Sequence, residues 1–359
     1  MSQGKKLAIY FCLIFLSLNT YSSSLCEKSL LSKKYEKYDK KYADNFEIFL
    51  SNENIIWQLN GNWFSFKDKT FDSCHLIKNR VPEKVVLMSS TLLEAFIELR
   101  IEKTIVGISE KRYIFNADKK IKNAIDLGTI PSIENIISLK PDLVFGYSSP
   151  ILESFYDKIQ SLGIKVVFID DFGQDHPLAR AEQRLIIGAF YNKFYESKKH
   201  YDSVLSSYMN LKKQVERKVH VLLGRQNASG AWKNLDQKSD FYQIIKDAGG
   251  VDVLSFFTSS LVSPEEILNI LPKIDFWLPQ FPYRSIREIK NESNFLKILI
   301  ENSTFKISSY GKNLNNFGGS EFWDVAIMRP DLFLEDLITV LGTSKLNNLE
   351  STHWYRFLR

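Results

Sequence analysis

The sequence predicts an α/β protein made of two lobes, each with a parallel sheet flanked by helices, joined by one long α-helix. Two observations lead to this fold class. Short β-rich segments alternate with amphipathic helical segments both before residue 177 and after residue 217. Between these regions, apolar residues recur at spacings of three and four from Pro177 to Glu216, and no proline follows Pro177.

A continuous helix over that stretch would span roughly 60 Å, at about 1.5 Å per residue, which exceeds the size of a small domain. The pattern therefore favours a strut that joins two lobes. The alternative is a pair of stacked helices with a break near residues 198–200, because helices of globular proteins rarely exceed about 25 residues.

The composition indicates a folded protein that is large enough for two domains. The chain has 359 residues, 44% of them hydrophobic, which is enough for two domains with their own cores. Its net charge of +5 is spread over the chain, so it lacks the basic stripe of a nucleic-acid-binding protein.

Lys5 and Lys6 precede an apolar run from Leu7 to Leu18, which is too short to span a bilayer. Residues 1–24 are therefore predicted to be a secretory signal peptide, and the mature protein is expected to work outside the cytoplasm.

Two fates are open for Cys26. It can become the acylated first residue of a lipoprotein, although Leu25 stands where a small residue is expected. If the signal is instead cut after Ser24, Cys26 can pair with Cys74 in an oxidising compartment. Two cysteines make neither a disulfide framework nor a zinc site.

The remaining chain divides into four segments. Residues 25–80 are predicted to be a charged tether and a β extension, with strands Phe46–Leu50 and Ile55–Leu59 and a turn at Asn60-Gly61. Residues 81–176 form the N-terminal lobe, 177–217 the linking helix and 218–359 the C-terminal lobe. The predicted strands of the lobes are Lys84–Met88, Thr104–Ile108, Asp142–Tyr147, Lys165–Asp170, Val219–Gly224, Asp275–Leu278 and Phe305–Ser309.

An internal near-repeat links the two lobes. The segment from Ser132 to Asp142 recurs as Ser263 to Asp275, with a serine cap, apolar steps and a proline at corresponding places. Each lobe thus carries one capped helix that leads into a buried strand. Glu134 and Glu265 occupy equivalent positions in the first turns of these helices, where a carboxylate is also favoured by the helix dipole alone.

From Glu83 to Leu341 the chain resembles the periplasmic binding proteins of ABC importers for iron complexes and cobalamin. The resemblance rests on Val85 to Ser90, Asp126-Leu-Gly128, Leu139-Lys-Pro-Asp142, Leu162 to Phe168, His176 to Glu182 and Asp247-Ala-Gly-Gly250. It implies capture of an iron-siderophore, haem or cobalamin between the lobes and delivery to an ABC permease dimer by a monomeric binding protein. It also implies that Glu134 and Glu265 dock on the two permease subunits, with Glu266 as the fallback for Glu265.

Such a ligand would lie where strand ends and the following loops converge. Aromatic side chains there suit a flat macrocycle or a catecholate, and arginines suit an anionic chelate. The candidate ligand-binding residues are Ser89, Ser90, Tyr147, Ser148, Asp171, Phe172, Arg225, Trp232, Phe281, Tyr283, Arg284, Tyr310 and Lys312.

Catalytic and metal chemistry find little support in the sequence. No pair of histidines has ligand spacing, so we expect neither a metal site nor a cofactor. His176 is expected to cap the linking helix, because Pro177 follows it directly. No phosphate-binding glycine loop, nucleophile elbow or zinc-protease motif is present, so we expect no enzyme. The alternatives are a secreted two-lobed enzyme, such as a glycosyltransferase-like transferase, and an adhesion module; contact with the membrane would be only through a lipid anchor.

Overall fold

The computed structural model describes residues 26–52, 54–67, 76–170, 173–344 and 352–359. Its first sheet, the N-terminal sheet, follows a helix at residues 26–32 (α1) and has five strands in sequence order. They are β1 (Glu36–Lys37), β2 (Phe46–Leu50), β3 (Ile55–Leu59), β4 (Asn62–Ser65) and β5 (Leu76–Lys78). The predicted bounds of β2 and β3 are confirmed, and Asn60 and Gly61 take the positive φ angles, 50° and 80°, of a tight hairpin turn. The signal segment and Cys74 lie outside the described residues.

The first lobe is a wholly parallel sheet in the order β10-β9-β6-β7-β8. Its strands are β6 (Val85–Leu87), β7 (Ile105–Ile108), β8 (Ile125–Asp126), β9 (Leu143–Gly146) and β10 (Val166–Phe168). Its helices are α2 (Leu93–Glu98), α3 (Ala117–Lys120), α4 (Ile133–Leu139) and α5 (Glu153–Ser161). Single 3₁₀ turns lie at Ser90–Leu92, Glu102–Thr104 and Lys111–Tyr113.

Three helices, and not one, link the lobes: α6 (Pro177–Glu182), α7 (Arg184–Phe190) and α8 (Phe194–Lys212). The expectation of a single continuous helix over 177–216 is therefore wrong, and the break lies earlier than residues 198–200. Asn192 adopts a left-handed backbone with φ of 56°, which ends the helical path between α7 and α8. The chain then folds back. The Ser197 hydroxyl donates to the Arg184 carbonyl at 2.7 Å, and a Cβ at Gly188 would lie 2.5 Å from Ser197 Cβ.

The physical reason for this break is the burial of α7. All seven of its residues, from Arg184 to Phe190, are buried, so it has no solvent face and is enclosed on every side. An extended rod would expose part of that apolar surface. The 3.6-residue periodicity continues through α7 and α8 in the sequence, which is why the pattern alone did not show the reversal.

The second lobe has a sheet in the order β13-β11-β15-β16-β17, parallel except for the last strand. The strands of this part of the chain are β11 (Val219–Leu223), β12 (Trp232–Lys233), β13 (Gly250–Asp252), β14 (Leu261–Val262), β15 (Phe276–Leu278), β16 (Lys306–Ser309) and β17 (Arg356–Phe357). Its helices are α9 (Asp240–Asp247), α10 (Pro264–Ile270), α11 (Ile286–Lys290), α12 (Asn294–Glu301), α13 (Glu321–Val325) and α14 (Pro330–Leu341). Single 3₁₀ turns lie at Val253–Phe256 and Leu271–Lys273.

Two separate helices, α11 and α12, occupy the stretch from Ile286 to Glu301. Ser293 caps the second of them, α12, by accepting a hydrogen bond from Leu296 N. The antiparallel pair β12 and β14 lies outside the main sheet of the second lobe.

The N-terminal sheet is packed into the centre of the protein. Trp57 of β3 meets Phe190 of α7 edge to face, with ring centroids 5.2 Å apart. Both carboxylate oxygens of the buried Glu182 accept hydrogen bonds from the consecutive backbone N–H groups of Lys41, Tyr42 and Ala43. The predicted β extension is thus fastened to the helices between the lobes.

One core cluster joins these parts of the molecule. It includes Trp57 of the N-terminal sheet, Phe145 of the first lobe, Phe190 of α7, Val221 of the second lobe and Leu337 of α14. Since α14 packs along α8, the second lobe is also held to the linking helices. The two lobes therefore share apolar packing instead of meeting only through a tether.

Cys26 is buried, with 1% of its surface exposed, and its sulfur is disulfide-bonded. A thioether-linked lipid would need the same sulfur atom, so the two fates predicted for Cys26 exclude one another. Within the described ranges, no helix combines the length and the apolar character needed to cross a bilayer.

Candidate functional site: the cleft between the lobes

The carboxyl ends of six parallel strands face the space between the lobes. In the first lobe, the residues that follow β6, β7 and β9 are Met88, Ser109 and Tyr147. In the second lobe, those that follow β11, β15 and β16 are Gly224, Pro279 and Tyr310. All six line one of three adjoining chambers, which together form the cleft. This is the edge at which open α/β sheets bind ligands.

The first-lobe chamber has a volume of about 390 Å³ and draws its walls from both lobes. Ser89, Ser90 and Tyr147 come from the first lobe, and the segment from Gly318 to Asp324 comes from the second. Burial, with a smaller contribution from Glu110, raises the pKa of the Tyr147 hydroxyl. Tyr147 is therefore a neutral phenol that can donate or accept a hydrogen bond.

The aromatic chamber, of about 340 Å³, lies next to it. Trp323 of α13 lines both chambers and is 45% exposed. The other aromatic walls are Phe241, Tyr310, Phe322 and Phe333, and Tyr310 stacks on Phe322 with centroids 4.6 Å apart. Polar groups enter only at the edge, where Arg180 forms an ion pair with Asp240 at 2.7 Å. This chamber suits a flat, apolar body.

The second-lobe chamber, of about 660 Å³, carries two cationic side chains. Arg225 and Lys233 line it, together with Asp236, and it shares Leu235, Ser239 and Gln280 with the aromatic chamber. The Arg225 guanidinium lies over the Phe281 ring, 4.5 Å from its centroid. A half-exposed arginine of this kind can accept an anionic group from a ligand.

A direct contact between the lobes closes one side of the first-lobe chamber. The Asn315 amide donates to the Arg112 carbonyl at 2.7 Å, and Phe115 N donates to Asp324 Oδ2 at 3.0 Å. Gly319 lies so near that a Cβ there would sit 1.7 Å from the Tyr113 carbonyl oxygen. No side chain fits at that position, so glycine is required for this approach.

Asp324 is the buried acid of that contact. Its carboxylate lies 3.8 Å from Lys120 Nζ, and its side chain is only 2% exposed. Burial raises the pKa of Asp324 to about 7, although Lys120 and the hydrogen bond from Phe115 N oppose the shift.

The predicted ligand-binding residues separate into four groups, the last of which, Trp232 and Tyr283, is buried. Ser89, Ser90, Tyr147, Arg225 and Tyr310 line the cleft, and Phe281 lies against Arg225 at its rim. Three others lie on the surface elsewhere: Ser148 lines a separate surface pocket, Arg284 is exposed, and Lys312 Nζ donates to the Thr352 carbonyl and hydroxyl oxygens. Asp171 and Phe172 lie outside the described residues.

The expectation that Trp232 and Tyr283 face the cleft is wrong. Both are buried in the second core cluster of the second lobe, with 0% and 1% of their surface exposed. Trp232 meets Trp277 edge to face at 5.9 Å. Neither residue directly follows a strand of the main sheet. Trp232 comes nine positions after the end of β11 and belongs to β12, and Tyr283 comes five positions after the end of β15, so each loop is long enough to return its side chain to the core.

Several residues that line the cleft were not predicted. The most exposed of the missed aromatic side chains is Trp323, and Glu110, Tyr113 and Gln280 were missed as well. Gly318-Gly319-Ser320 before α13 was the available signal, because paired glycines permit a close backbone approach. Trp323 follows that turn on a helix, away from the strand ends at which ligand contacts were predicted.

The two glutamates of the sequence repeat occupy topologically equivalent sites. Glu134 lies in the first turn of α4, which leads into β9, the neighbour of β6 in the first-lobe sheet. Glu265 lies in the first turn of α10, which leads into β15, the neighbour of β11 in the second-lobe sheet. Glu134 and Glu265 are both exposed. Glu266 is held in its own helix cap, where it accepts a hydrogen bond from Ser263 N at 2.8 Å, so Glu265 is the outward carboxylate of the pair.

His176 caps the first linking helix, as predicted. Its Nδ1 accepts a hydrogen bond from Leu178 N at 3.1 Å, and its ring stacks on Tyr42 at 4.4 Å. Burial lowers the pKa of this imidazole, which favours the neutral form that can accept. In the part of the chain that the structure covers, no group of three or more His, Cys, Asp and Glu side chains is arranged to hold a metal ion.

Known proteins resemble this chain in sequence and in fold. An uncharacterized lipoprotein of Methanocaldococcus jannaschii is 22% identical over 88% of this chain and 84% of its own length. A possible iron-binding, periplasmic solute-binding protein from Staphylococcus epidermidis superposes with a TM-score of 0.55 at 16% identity, covering 72% of this chain and 98% of that one. The periplasmic haem-binding protein HutB of Vibrio cholerae gives 0.53 at 17% identity, covering 70% and 98%. Residues 85–313 match the periplasmic binding protein family, and the chain therefore belongs to that family.

Proposed function

We propose that this extracytoplasmic solute-binding protein captures an iron complex, an iron-siderophore or haem, in the inter-lobe cleft and delivers it unchanged to an ABC permease. The observation that supports this most directly is the convergence of six strand ends from two lobes on one cleft with an aromatic chamber at its centre. Among the structural relatives are a possible iron-binding protein and a haem-binding protein, which support this ligand class, and a vitamin B12-binding protein of Vibrio cholerae, which makes cobalamin the competing ligand.

The chemistry of the chambers fits a ligand with a flat apolar body and anionic edges. Trp323 offers an exposed aromatic face to the body of such a ligand, and the nearly buried Tyr310 and Phe322 form the wall behind it. Arg225 in the adjoining chamber offers a guanidinium for a carboxylate or another anionic group. The chambers, at about 340 and 660 Å³, are in the size range of preformed small-molecule sites.

Binding without large lobe motion follows from the same structure. The linking helices are buried in the main core cluster, and the contact of Gly319 with the Tyr113 carbonyl joins the lobes directly. A preformed cleft loses little freedom when the ligand enters, which favours affinity. Glu134 and Glu265 are proposed to dock on the two permease subunits, and the protein is proposed to act as a monomer.

The test is a titration of the purified protein with haemin, a ferric hydroxamate and cyanocobalamin, followed by absorbance and calorimetry. We expect one of the two iron ligands to bind with one-to-one stoichiometry and to be recovered unaltered. Trp323→Ala should weaken that binding by roughly tenfold or more, since one stacked aromatic face is lost. Tyr195→Ala is the matched control, because Tyr195 is 62% exposed on α8 and lines none of the three chambers.

Binding of cyanocobalamin alone would overturn the iron assignment while leaving the solute-binding role intact. Binding of none of the three, or conversion of a ligand to product, would overturn the proposal.

A further inference from the structure

Exposed aliphatic side chains flank the two equivalent glutamates at the same spacing. Ile130 and Ile137 lie four residues before and three residues after Glu134, and they are 59% and 46% exposed. Leu261 and Leu268 lie four before and three after Glu265, and they are 48% and 36% exposed. Each lobe therefore presents a patch made of one carboxylate between two large apolar side chains.

The agreement extends to the residues beneath the patches. Two positions after each glutamate, Ile136 and Ile267 are both fully buried. Three positions before, Pro131 and Val262 are buried as well. Because the inward residues coincide, Glu134 with Ile137 and Glu265 with Leu268 are presented by the same helical backbone, whereas Ile130 precedes α4 in a loop and Leu261 lies in β14. Residues three apart on a helix are neighbours on its surface, so Glu134 lies beside Ile137, and Glu265 beside Leu268.

Both patches lie on the rim of the cleft. In a parallel sheet, the helix that follows a strand begins at that strand's carboxyl end. The chain enters α4 from the end of β8, and it enters α10 from the loop that follows β13. Thr258, Ser259 and Ser260, which line the second-lobe chamber, directly precede Leu261. A partner that contacts both patches therefore spans the mouth of the cleft.

We propose that these patches, Ile130 with Ile137 and Leu261 with Leu268, are the apolar part of a docking surface for a two-fold symmetric membrane partner, namely the permease dimer. This inference rests on the proposed function and extends it from the two glutamates to their flanks. Two equal patches on one chain match a partner that offers two copies of one complementary site. The aliphatic side chains supply affinity that does not depend on salt, and the carboxylates supply orientation.

The charge of the patches disfavours two other partners, a second copy of this chain and an anionic membrane surface. Within the described part of the chain, neither Glu134 nor Glu265 forms a hydrogen bond or an ion pair. A second copy of this chain, packed patch on patch, would place carboxylate against carboxylate with no cation between them. An anionic membrane surface would repel both groups. The complementary site therefore contains a cation between apolar walls, such as an arginine in a hydrophobic pocket.

The experiment measures docking and ligand binding separately. The mature protein, alone and with whichever of haemin and the ferric hydroxamate binds in the titration above, is titrated onto the cognate permease complex in lipid nanodiscs at 50 mM and 300 mM salt. Two variants each remove one apolar pair: Ile130→Ser with Ile137→Ser, and Leu261→Ser with Leu268→Ser. We expect each to weaken docking by roughly tenfold, to a similar degree, at both salt concentrations. Their combination should weaken docking by about the product of the two factors, because the patches are far apart.

Two controls separate this proposal from simpler explanations. Ile298→Ser changes an aliphatic side chain of α12 that is 49% exposed and outside both patches, and it should leave docking unchanged. Glu134→Gln with Glu265→Gln should weaken docking at 50 mM salt and flatten its salt dependence. In every patch variant, the affinity for the ligand and the melting temperature should stay within error of the wild type.

The proposal would be overturned if only one of the two serine pairs weakened docking, if docking weakened only at low salt, or if neither pair affected docking. It would also be overturned if the wild type sedimented as a dimer and the serine variants as monomers, because the patches would then be contacts between two copies of this chain. If the wild type docks but binds no ligand, the proposed function fails and the docking surface stands.

Discussion

Asp142 and Asp275 make the same contact in the two lobes, 133 positions apart in the sequence. The Asp142 carboxylate accepts hydrogen bonds from Glu83 N and Lys84 N at 2.8 and 2.9 Å, at the start of β6. The Asp275 carboxylate accepts one from His220 N at 2.8 Å, near the start of β11. Each acid follows the helix of the repeat and ties the turn after that helix to the start of the first strand of its lobe. The internal repeat of the sequence therefore preserves a hydrogen bond as well as a pattern.

Removing these carboxylates should destabilise the protein in proportion to the bonds lost. We expect Asp142→Ala to lower the free energy of unfolding by about 2 kcal/mol and Asp275→Ala by about 1 kcal/mol, with roughly additive effects in the double variant. Urea denaturation measures both. Asp118→Ala is the control, because that side chain is 97% exposed and should cost little. An equal cost for all three would mean that the strand-start bonds do not matter.

Arg184 is a buried cation that joins three parts of the chain. Its Nη1 lies 2.6 Å from Glu98 of α2, its Nε donates to the Ala181 carbonyl, and its Nη2 donates to the Met328 carbonyl before α14. Arg184→Met should cost about 3 to 5 kcal/mol at pH 8, because it leaves the Glu98 carboxylate buried without its partner. Thermal or urea unfolding of the variant measures this cost.

The cost of Arg184→Met should shrink towards pH 5. Burial already raises the pKa of Glu98 while Arg184 opposes the shift, so removal of the arginine raises that pKa further and lets the group protonate. Adding Glu98→Gln should recover part of the stability at pH 8 and little at pH 5. A penalty that is independent of pH, with no rescue by glutamine, would contradict this account.

Asp324 should make stability fall as the pH rises. Its pKa is raised by burial to about 7, above its usual value of 3.8, so between about pH 4 and pH 7 the unfolded chain is ionised while the folded protein still holds the proton. The stability that it contributes is thus fully present below about pH 4 and is lost as the pH rises through about 7.

Asp324→Asn removes that titration. The difference in unfolding free energy between the variant and the wild type should therefore move in favour of the variant from pH 4 to pH 7, and it should level off above the pKa of Asp324. Denaturant titrations at four or five pH values measure the slope. Glu321→Gln serves as the neighbouring control, because its side chain is 24% exposed against 2% for Asp324. A difference that falls or stays flat over this range would contradict the assignment.

Cys26 should resist alkylation until the protein is reduced, because its sulfur is disulfide-bonded and buried. Intact-mass analysis of the mature protein, alkylated before and after reduction, measures this. Cys26→Ser should leave the protein in the soluble extracytoplasmic fraction and lower its melting temperature by several degrees. A diacylglyceryl adduct on Cys26, with membrane release in Cys26→Ser, would instead establish the lipid anchor.

Local sequence patterns predicted most of the strands and helices, since each depends on neighbours in the chain. The hairpin at Asn60-Gly61 and the helix cap at His176 are of this kind. The reversal at Asn192 could not be predicted in the same way, because it results from the burial of α7 on all sides by segments distant in sequence. The cleft shows the same division. Ser89 and Tyr147 lie within two positions of strand ends, whereas Trp323 lies on α13, which follows the contact of Gly319 with Tyr113 across the lobes.

The shared core cluster bears on how the protein loses its structure. It draws on Trp57 before the first lobe, on both lobes and on the helices that connect them, so no portion can lose its packing while the others keep theirs. We expect a single cooperative melting transition for the whole molecule. A variant that begins after residue 80 would lack the N-terminal sheet and would expose the core residues that this sheet covers. We therefore expect such a variant to aggregate before it could bind a ligand.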